Sequence, residues 1–273
     1  MIPTWFKDRA GNIYLNDLLR YVKSTFLTPA QNNIPIVIPA APSATVPSLS
    51  TPIIIEGSED SVAEVLSFIG IQGAAVNDEV DARMTVLISD LAYRRNLMNR
   101  PIPVRQVFGN RLQPFFLHES IFLEQQQIMS LQFFNNSVLG ATNFDFMMEA
   151  GKYQASVLAN PQVTTLIQEL RRRKLFLSPL WFTSNERILL PAGATRLAFF
   201  TGSKDAVFLL FSIMAEVVVT GGPLVQDNFE FELFDAKTQR PLQNRPVLQS
   251  VGTGNARFPH PLSTALFVDP YTT

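Results

Sequence analysis

The sequence predicts a mainly β chain built as two tandem, duplicated jelly-roll-like β-sandwich domains, with an N-terminal helix and arm and an interdomain helix. Three observations point to it: one stretch is written twice, apolar residues alternate with the period of strands, and turn-forming residues divide the chain into short segments.

The repeat comes first because a missed duplication misassigns a whole fold. Asp90-Leu-Ala-Tyr-Arg-Arg95-Asn-Leu97-Met-Asn99-Arg100-Pro101 returns 145 positions later as Asp235-Ala-Lys-Thr-Gln-Arg240-Pro-Leu242-Gln-Asn244-Arg245-Pro246. Without a gap, 17 of the 70 positions between Ile53 and Phe122 are identical to their counterparts, among them Gly57, Asp60, Gly109, Pro114 and Phe122. A period this long means two domains, not a solenoid. The boundaries read from it are 1–52 for a helix and Pro-rich arm, 53–155 for the first sandwich, 156–180 for a linker helix and 181–273 for a C-terminally shortened second sandwich.

Taken in order, Leu15, Leu18, Leu19, Val22 and Phe26 fall at helical spacing, so a short amphipathic helix is expected there. Pro29, Pro35, Pro39, Pro42, Pro47 and Pro52 then mark an extended arm. Only 34–38 looks strand-like within it, and proline confines that piece to an edge. The first copy offers strands near 53–55, 62–71, 83–89, 102–107, 115–123, 128–134 and 143–148. Asn160-Pro161 is a good helix start, with Val163, Leu166, Ile167 and Leu170 as its apolar stripe. The second copy repeats strands near 187–190, 197–200, 207–216, 229–234 and 264–268, without counterparts of 128–134 and 143–148. An unfinished edge, open to another strand, is the expected consequence.

In the repeated motif, Met84, Val86 and Ile88 alternate in one copy, and Phe229, Phe231 and Leu233 in the other. Asp90 or Asp235 ends this strand and is placed to pair with Arg95 or Arg240, while Asn99-Arg100-Pro101 and Asn244-Arg245-Pro246 continue the corner. These ten residues read as a structural loop staple, since loop Asp and Asn most often serve local backbone hydrogen bonds.

No reaction emerges from the residues. With no cysteine, thiolate sites and disulfides are excluded, and His118 and His260 do not occupy equivalent positions. A P-loop, a nucleophile elbow and a dinucleotide fingerprint are all missing, and Gly252-Thr-Gly254 reads as a turn. Glu230 and Glu232 read as a solvated strand face, and Arg171-Arg172-Arg173-Lys174 as cations at a helix end. Catalytic residues, metal ligands and cofactors are therefore not expected, nor is a small-molecule substrate.

A formal charge of -1 offers no general attraction to nucleic acid. The longest apolar run, 206–219, is interrupted by Ser212 and Glu216 and falls short of the roughly 20 residues of a membrane helix. Hydrophobic residues at 47% against 16% charged predict extensive burial against other subunits. The aromatic balance, 22 Phe against 5 Tyr and 2 Trp, points to cores and contacts in preference to sugar or base platforms.

Several of these residues together resemble a known family. The run Thr85-Val-Leu-Ile-Ser-Asp90, then Arg95-x-Leu97-x-Asn99-x-Pro101-Ile-Pro-Val104, Phe108-Gly109, Leu112-x-Pro114-Phe115-Phe116-Leu117 and Phe133-x-Asn135-Asn136-Ser137 resembles β-rich structural proteins of tailed bacteriophage virions. The resemblance covers about 53–153 and, less completely, 187–268. It implies a non-enzymatic virion component of the capsid decoration or neck and tail accessory type, assembled in the host cytoplasm with copies of itself and other virion proteins. A double jelly-roll major capsid protein of a tailless virus and a carbohydrate- or receptor-binding sandwich module are the alternatives.

Overall fold

The computed structural model describes residues 22–27, 36–43, 45–57, 61–72, 84–91, 94–109 and 115–154, seven residues between 161 and 172, and 190–198, 207–214, 229–235, 240–242, 244–248 and 260–268. The chain is mainly β, in antiparallel sheets.

Residues 22–154 form eleven strands: β1 (Val22–Leu27), β2 (Ile36–Ile38), β3 (Ser48–Leu49), β4 (Ile53–Glu56), β5 (Ser61–Gln72), β6 (Met84–Asp90), β7 (Arg95–Asn96), β8 (Ile102–Pro103), β9 (Phe115–Leu123), β10 (Ile128–Asn135) and β11 (Thr142–Gln154). They occupy two sheets of four positions each. In one, β1 and β2 share the edge beside β11, followed by β5 and β9. In the other, β3 and β4 share the edge beside β10, followed by β6 and then β7 with β8.

Alternation makes this pair of sheets a sandwich. Met84, Val86 and Ile88 of β6 and Met129, Leu131 and Phe133 of β10 are all fully buried, and they share one core with Val65, Phe68, Phe144, Phe146 and Met148 of the facing sheet. Leu117 and, from further along the chain, Met214 pack against that core. In β5 the pairing slips at Leu66, which has no partner on β11 or β9, so Val65 and Phe68 both reach the core from one strand. Phe108 lies among Phe68, Phe144 and Phe146 with ring centroids 5.2–5.5 Å away. Gly70 makes room for this cluster, because a Cβ there would stand 2.6 Å from the Phe144 ring.

Three expectations need correction. Val22 and Phe26, placed on a helix by their spacing, belong to β1, which runs antiparallel to β11 with Val22 opposite Tyr153. A vacant sheet edge outweighs a weak helical pattern. Residues 1–52 are therefore not all a separate arm, since β1, β2 and β3 are edge strands of the first sandwich. The other helix positions, Leu15, Leu18 and Leu19, lie outside the described residues. Finally, 102–107 is a strand only at Ile102–Pro103. Pro103 has no N–H for the ladder, and a 3-10 turn follows at Val104–Gln106, where Val107 N–H donates to the Val104 carbonyl at 3.0 Å.

Between the halves, the described residues at 161, 164, 165, 167, 168, 169 and 172 are helical, with Ile167 buried and Arg172 paired to Glu169 at 2.8 Å. Arg171, Arg173 and Lys174 lie outside the described residues.

The second half contains β12 (Phe208–Ile213), β13 (Glu230–Phe231), β14 (Phe234–Asp235), β15 (Arg240–Pro241), β16 (Val247–Leu248) and β17 (His260–Val268). Their pairs are pairs of the first half displaced by 145. Ala63 opposite Leu123 returns as Phe208 opposite Val268, and Phe68 opposite Phe115 as Ile213 opposite His260, with the same slip between them. Thr85 opposite Pro103 returns as Glu230 opposite Leu248, and Asp90 opposite Arg95 as Asp235 opposite Arg240. The bond from Leu97 N–H to the Ile88 carbonyl, 2.9 Å, returns from Leu242 to Leu233 at 2.8 Å. Of the strands expected in this half, 190 and 197–198 are irregular and exposed; 187–189 and 199–200 lie outside the described residues.

Candidate functional site

The repeated corner is assembled where β6 stops. Asp90 closes that strand with its carboxylate buried, and Arg95, first residue of β7, folds back to donate from Nε and Nη2 to Oδ2 at 3.3 and 3.2 Å. Arg94 takes a left-handed φ of 50° to make the reversal. The other carboxylate oxygen accepts from Gln127 Nε2 at 3.0 Å. Gln127 belongs to the β9–β10 turn: its Oε1 accepts the Glu124 N–H at 2.9 Å, and its carbonyl accepts the Gly57 N–H at 2.8 Å. Three chain segments are thereby tied at one corner. Gly57 is confined as well, since a Cβ would stand 2.1 Å from the Glu124 carbonyl oxygen.

The rest of the motif sorts by burial. Leu97 and Met98 plug the core, Asn99 is exposed, and Arg100 and Pro101 are half-buried. In the second copy Arg240, Leu242, Asn244, Arg245 and Pro246 are all exposed, and the Asp235 side chain lies outside the described residues. The two corners therefore share a backbone and differ in what surrounds it.

Removing the carboxylate should expose what it does. Asp90→Ala leaves the buried Gln127 amide without its acceptor, so a loss of about 2 kcal/mol in unfolding free energy is expected. Urea denaturation of the variant measures it, and a change below about 0.5 kcal/mol would mean the staple is not holding the corner.

A second polar group sits on the outward face of the other sheet. Glu64 is buried and accepts bonds from the Ser120 hydroxyl and, at 3.4 Å, from the Tyr153 hydroxyl; nearby on the same strand Ser67 donates to Glu149 at 3.1 Å. The Tyr153 phenol is held well above its ordinary value of 10.0, first by burial, then by the Glu64 charge and the bond to it. A phenol that stays protonated in the fold but ionises in the unfolded chain contributes stability present below pH 10.0 and lost above it. Tyr153→Phe is thus expected to flatten the fall in melting temperature above that pH, while an unchanged slope would remove Tyr153 as its source.

Sequence reasoning missed this group and Gln127. Glu64 looked like any polar strand residue, and its counterpart under the repeat is Leu209, so the repeat carried no signal for it. Asn135 is different, because it stands in the sequence run quoted above. Its Nδ2 donates to the Pro39 and Gly140 carbonyls, both at 2.9 Å, and its Oδ1 accepts the Ser137 N–H at 2.9 Å. Asn136 donates to Thr85 Oγ1 at 3.2 Å.

Chemically, these groups bond to backbone and to one another. Among the described residues, no group of three or more His, Cys, Asp and Glu gathers to hold a metal ion, and no helix is long and apolar enough to cross a membrane. The side chains of His118 and His260 lie outside the described residues. Compared with protein-family models, with curated proteins and with solved structures, the chain matches none.

Proposed function

We propose that the chain is a non-enzymatic structural component of a bacteriophage virion, built from two tandem jelly rolls and working through contacts between subunits. The pairing pattern carries this reading. Two facing four-position sheets, in which the chain changes sheet at six of the seven steps from one position to the next, support a jelly-roll reading, an architecture used by viral shells and by lectins. Ladders displaced by 145 in the second half support a tandem pair.

Composition favours assembly over recognition of small ligands. An apolar fraction of 47% coexists with exposed Val37, Val46, Leu49, Val138 and Leu139, all near the β2–β3 arm or the β10–β11 turn. The polar groups of the first corner, Asp90, Arg95 and Gln127, are committed to backbone and to one another. The displaced ladders also favour one specific form of the reading, a shell protein made of two jelly rolls side by side. Fold alone does not assign a function, and the quoted run of virion-like residues directs the choice.

The experiment is light scattering on the purified full-length chain across concentration, with negative-stain microscopy of what forms. Ordered assemblies are expected. A chain that stays monomeric at high concentration and binds glycans on an array would overturn the reading in favour of a binding module.

A further inference from the structure

The two outer faces of the first sandwich differ in kind. On the β11–β5 sheet, Val62, Glu64, Phe122 and Tyr153 point away from the core and are still only 0–6% exposed, so the chain itself covers that face. On the β10–β6 sheet, every outward position of β6 and β10 is half-buried, alternating with fully buried neighbours. Leu49 of β3, 52% exposed, stands opposite Phe134 at one end of this face, Ile54 of β4 stands opposite Ser130 towards the other, and Gln132 opposite Leu87 lies between them.

The middle of this face carries no charge. Residues 24–55, 84–89 and 125–144 contain no Asp, Glu, Lys or Arg. These stretches supply β3 and β10 entirely, β4 up to Glu56 and β6 up to Asp90. Glu56 and the Asp90–Arg95 pair stand together at the rim, beside Ile128 and Met129. The other sheet is different, with Glu64, Asp145, Glu149 and Lys152 inside its strands. A sheet face in solvent is ordinarily dressed with charge, and depletion of charge is the compositional mark of an interface centre.

We propose that this face packs against the same face of another copy, sheet on sheet about a twofold axis through the Gln132–Leu87 row. The inference rests on the assembly reading above and names one of its contacts. Charge selects the partner. An uncharged face gives no electrostatic reward to a nucleic acid, an anionic lipid surface or a charged peptide. In an isologous contact each central residue lies close to its own copy, so an ionised side chain there would face itself, and this face has none. Leu49, Ile54, Leu87 and Phe134 supply apolar area, while Ser130 and Gln132 offer donors and acceptors to their copies. Four strand positions by about six residues give roughly 400 Å2 of flat face per copy, the size of a weak contact, which suits an assembly where many copies hold one another.

Gln132→Lys tests the contact in the full-length chain, followed by light scattering across concentration. It sets like charges together at the axis and should weaken association about tenfold or more, with the urea midpoint of the fold nearly unchanged because the position is only half-buried. Gln125→Lys, the same change on the exposed β9–β10 turn, should leave association as it was. The chain has no cysteine, so Leu87→Cys, Ser130→Cys and Gln132→Cys, made singly, report the axis directly. Mild oxidation is expected to give a disulfide-linked dimer at one or more of these positions and none at Gln125→Cys. Assemblies that ignore Gln132→Lys and give no cross-link at the three positions would overturn this contact while leaving the assembly reading intact. Association lost in Gln132→Lys but without any cross-link would place a different surface against the face and overturn the twofold pairing. A chain that stays monomeric at every concentration would overturn both.

Discussion

Phe133→Ala is expected to lower the unfolding free energy by about 4 kcal/mol, the largest effect of any single truncation in the first sandwich. Phe133 is at 0% exposure in the middle of β10, with the rings of Phe144, Phe146 and Phe108 at 5.1, 5.7 and 6.2 Å. Truncation removes the apolar surface it buries and leaves a cavity. The cavity cannot collapse easily, because β10 is bonded on both sides, to β6 and to β3 with β4, and β11 is bonded on both sides as well. Urea denaturation gives the number. Phe134→Ala, on the outward face of the same strand and only half-buried, is expected to cost about 1 kcal/mol. Equal losses for the two would refute the alternation on which the sandwich rests.

Asn135→Ala ranks second, at about 3 kcal/mol, and its cause is polar. The side chain is at 0% exposure, and its three nearest backbone partners are the carbonyls of Pro39 and Gly140 and the N–H of Ser137, which is itself buried, with the Ile38 carbonyl further off at 3.5 Å. Alanine leaves all three without this partner in a place water does not reach. Asn135→Asp is nearly isosteric and is expected to be no milder, since a carboxylate would face two carbonyl oxygens. The result should also be local. Pro39 lies just after β2, so amides of 36–49 should lose hydrogen-exchange protection before those of β6 and β10. A uniform loss across both sheets would show that Asn135 acts on the whole core and not on the arm.

The residues behind these two predictions were unequally legible. Phe133 stands out in the sequence by alternation alone, with Met129 and Leu131 before it, because a strand's period of two is a local property. Asn135 stands out only through its place in a familiar run, and nothing local says that it reaches back to Pro39. Gln127 and Asp90 are 37 positions apart, and no pattern in either neighbourhood announces their bond. Arg95, five residues from Asp90, could be paired with it from the sequence because a turn of that length brings strand ends together. β1 was misread for a related reason. Val22 and Phe26 are four apart, which suits a helix as well as it suits two positions on one face of a strand, and the edge of β11 decided between them.

What the sequence by itself determined was the set of local decisions: which residues alternate in and out, where Asp, Gly and Pro turn the chain, and that these decisions recur with a spacing of 145. They are determined locally because steric limits on φ, the missing proline donor and side-chain alternation act within a few residues. The tertiary structure decided which edges meet. It set β11 between β1 and β5, carried Glu64 into a buried face, and covered Leu97 while leaving Leu242 in solvent although both stand at the same place in the repeat. A strand edge offers the same N–H and C=O groups to any partner, so its pairing follows from what else lies within reach, and that is a property of the whole chain and its neighbours.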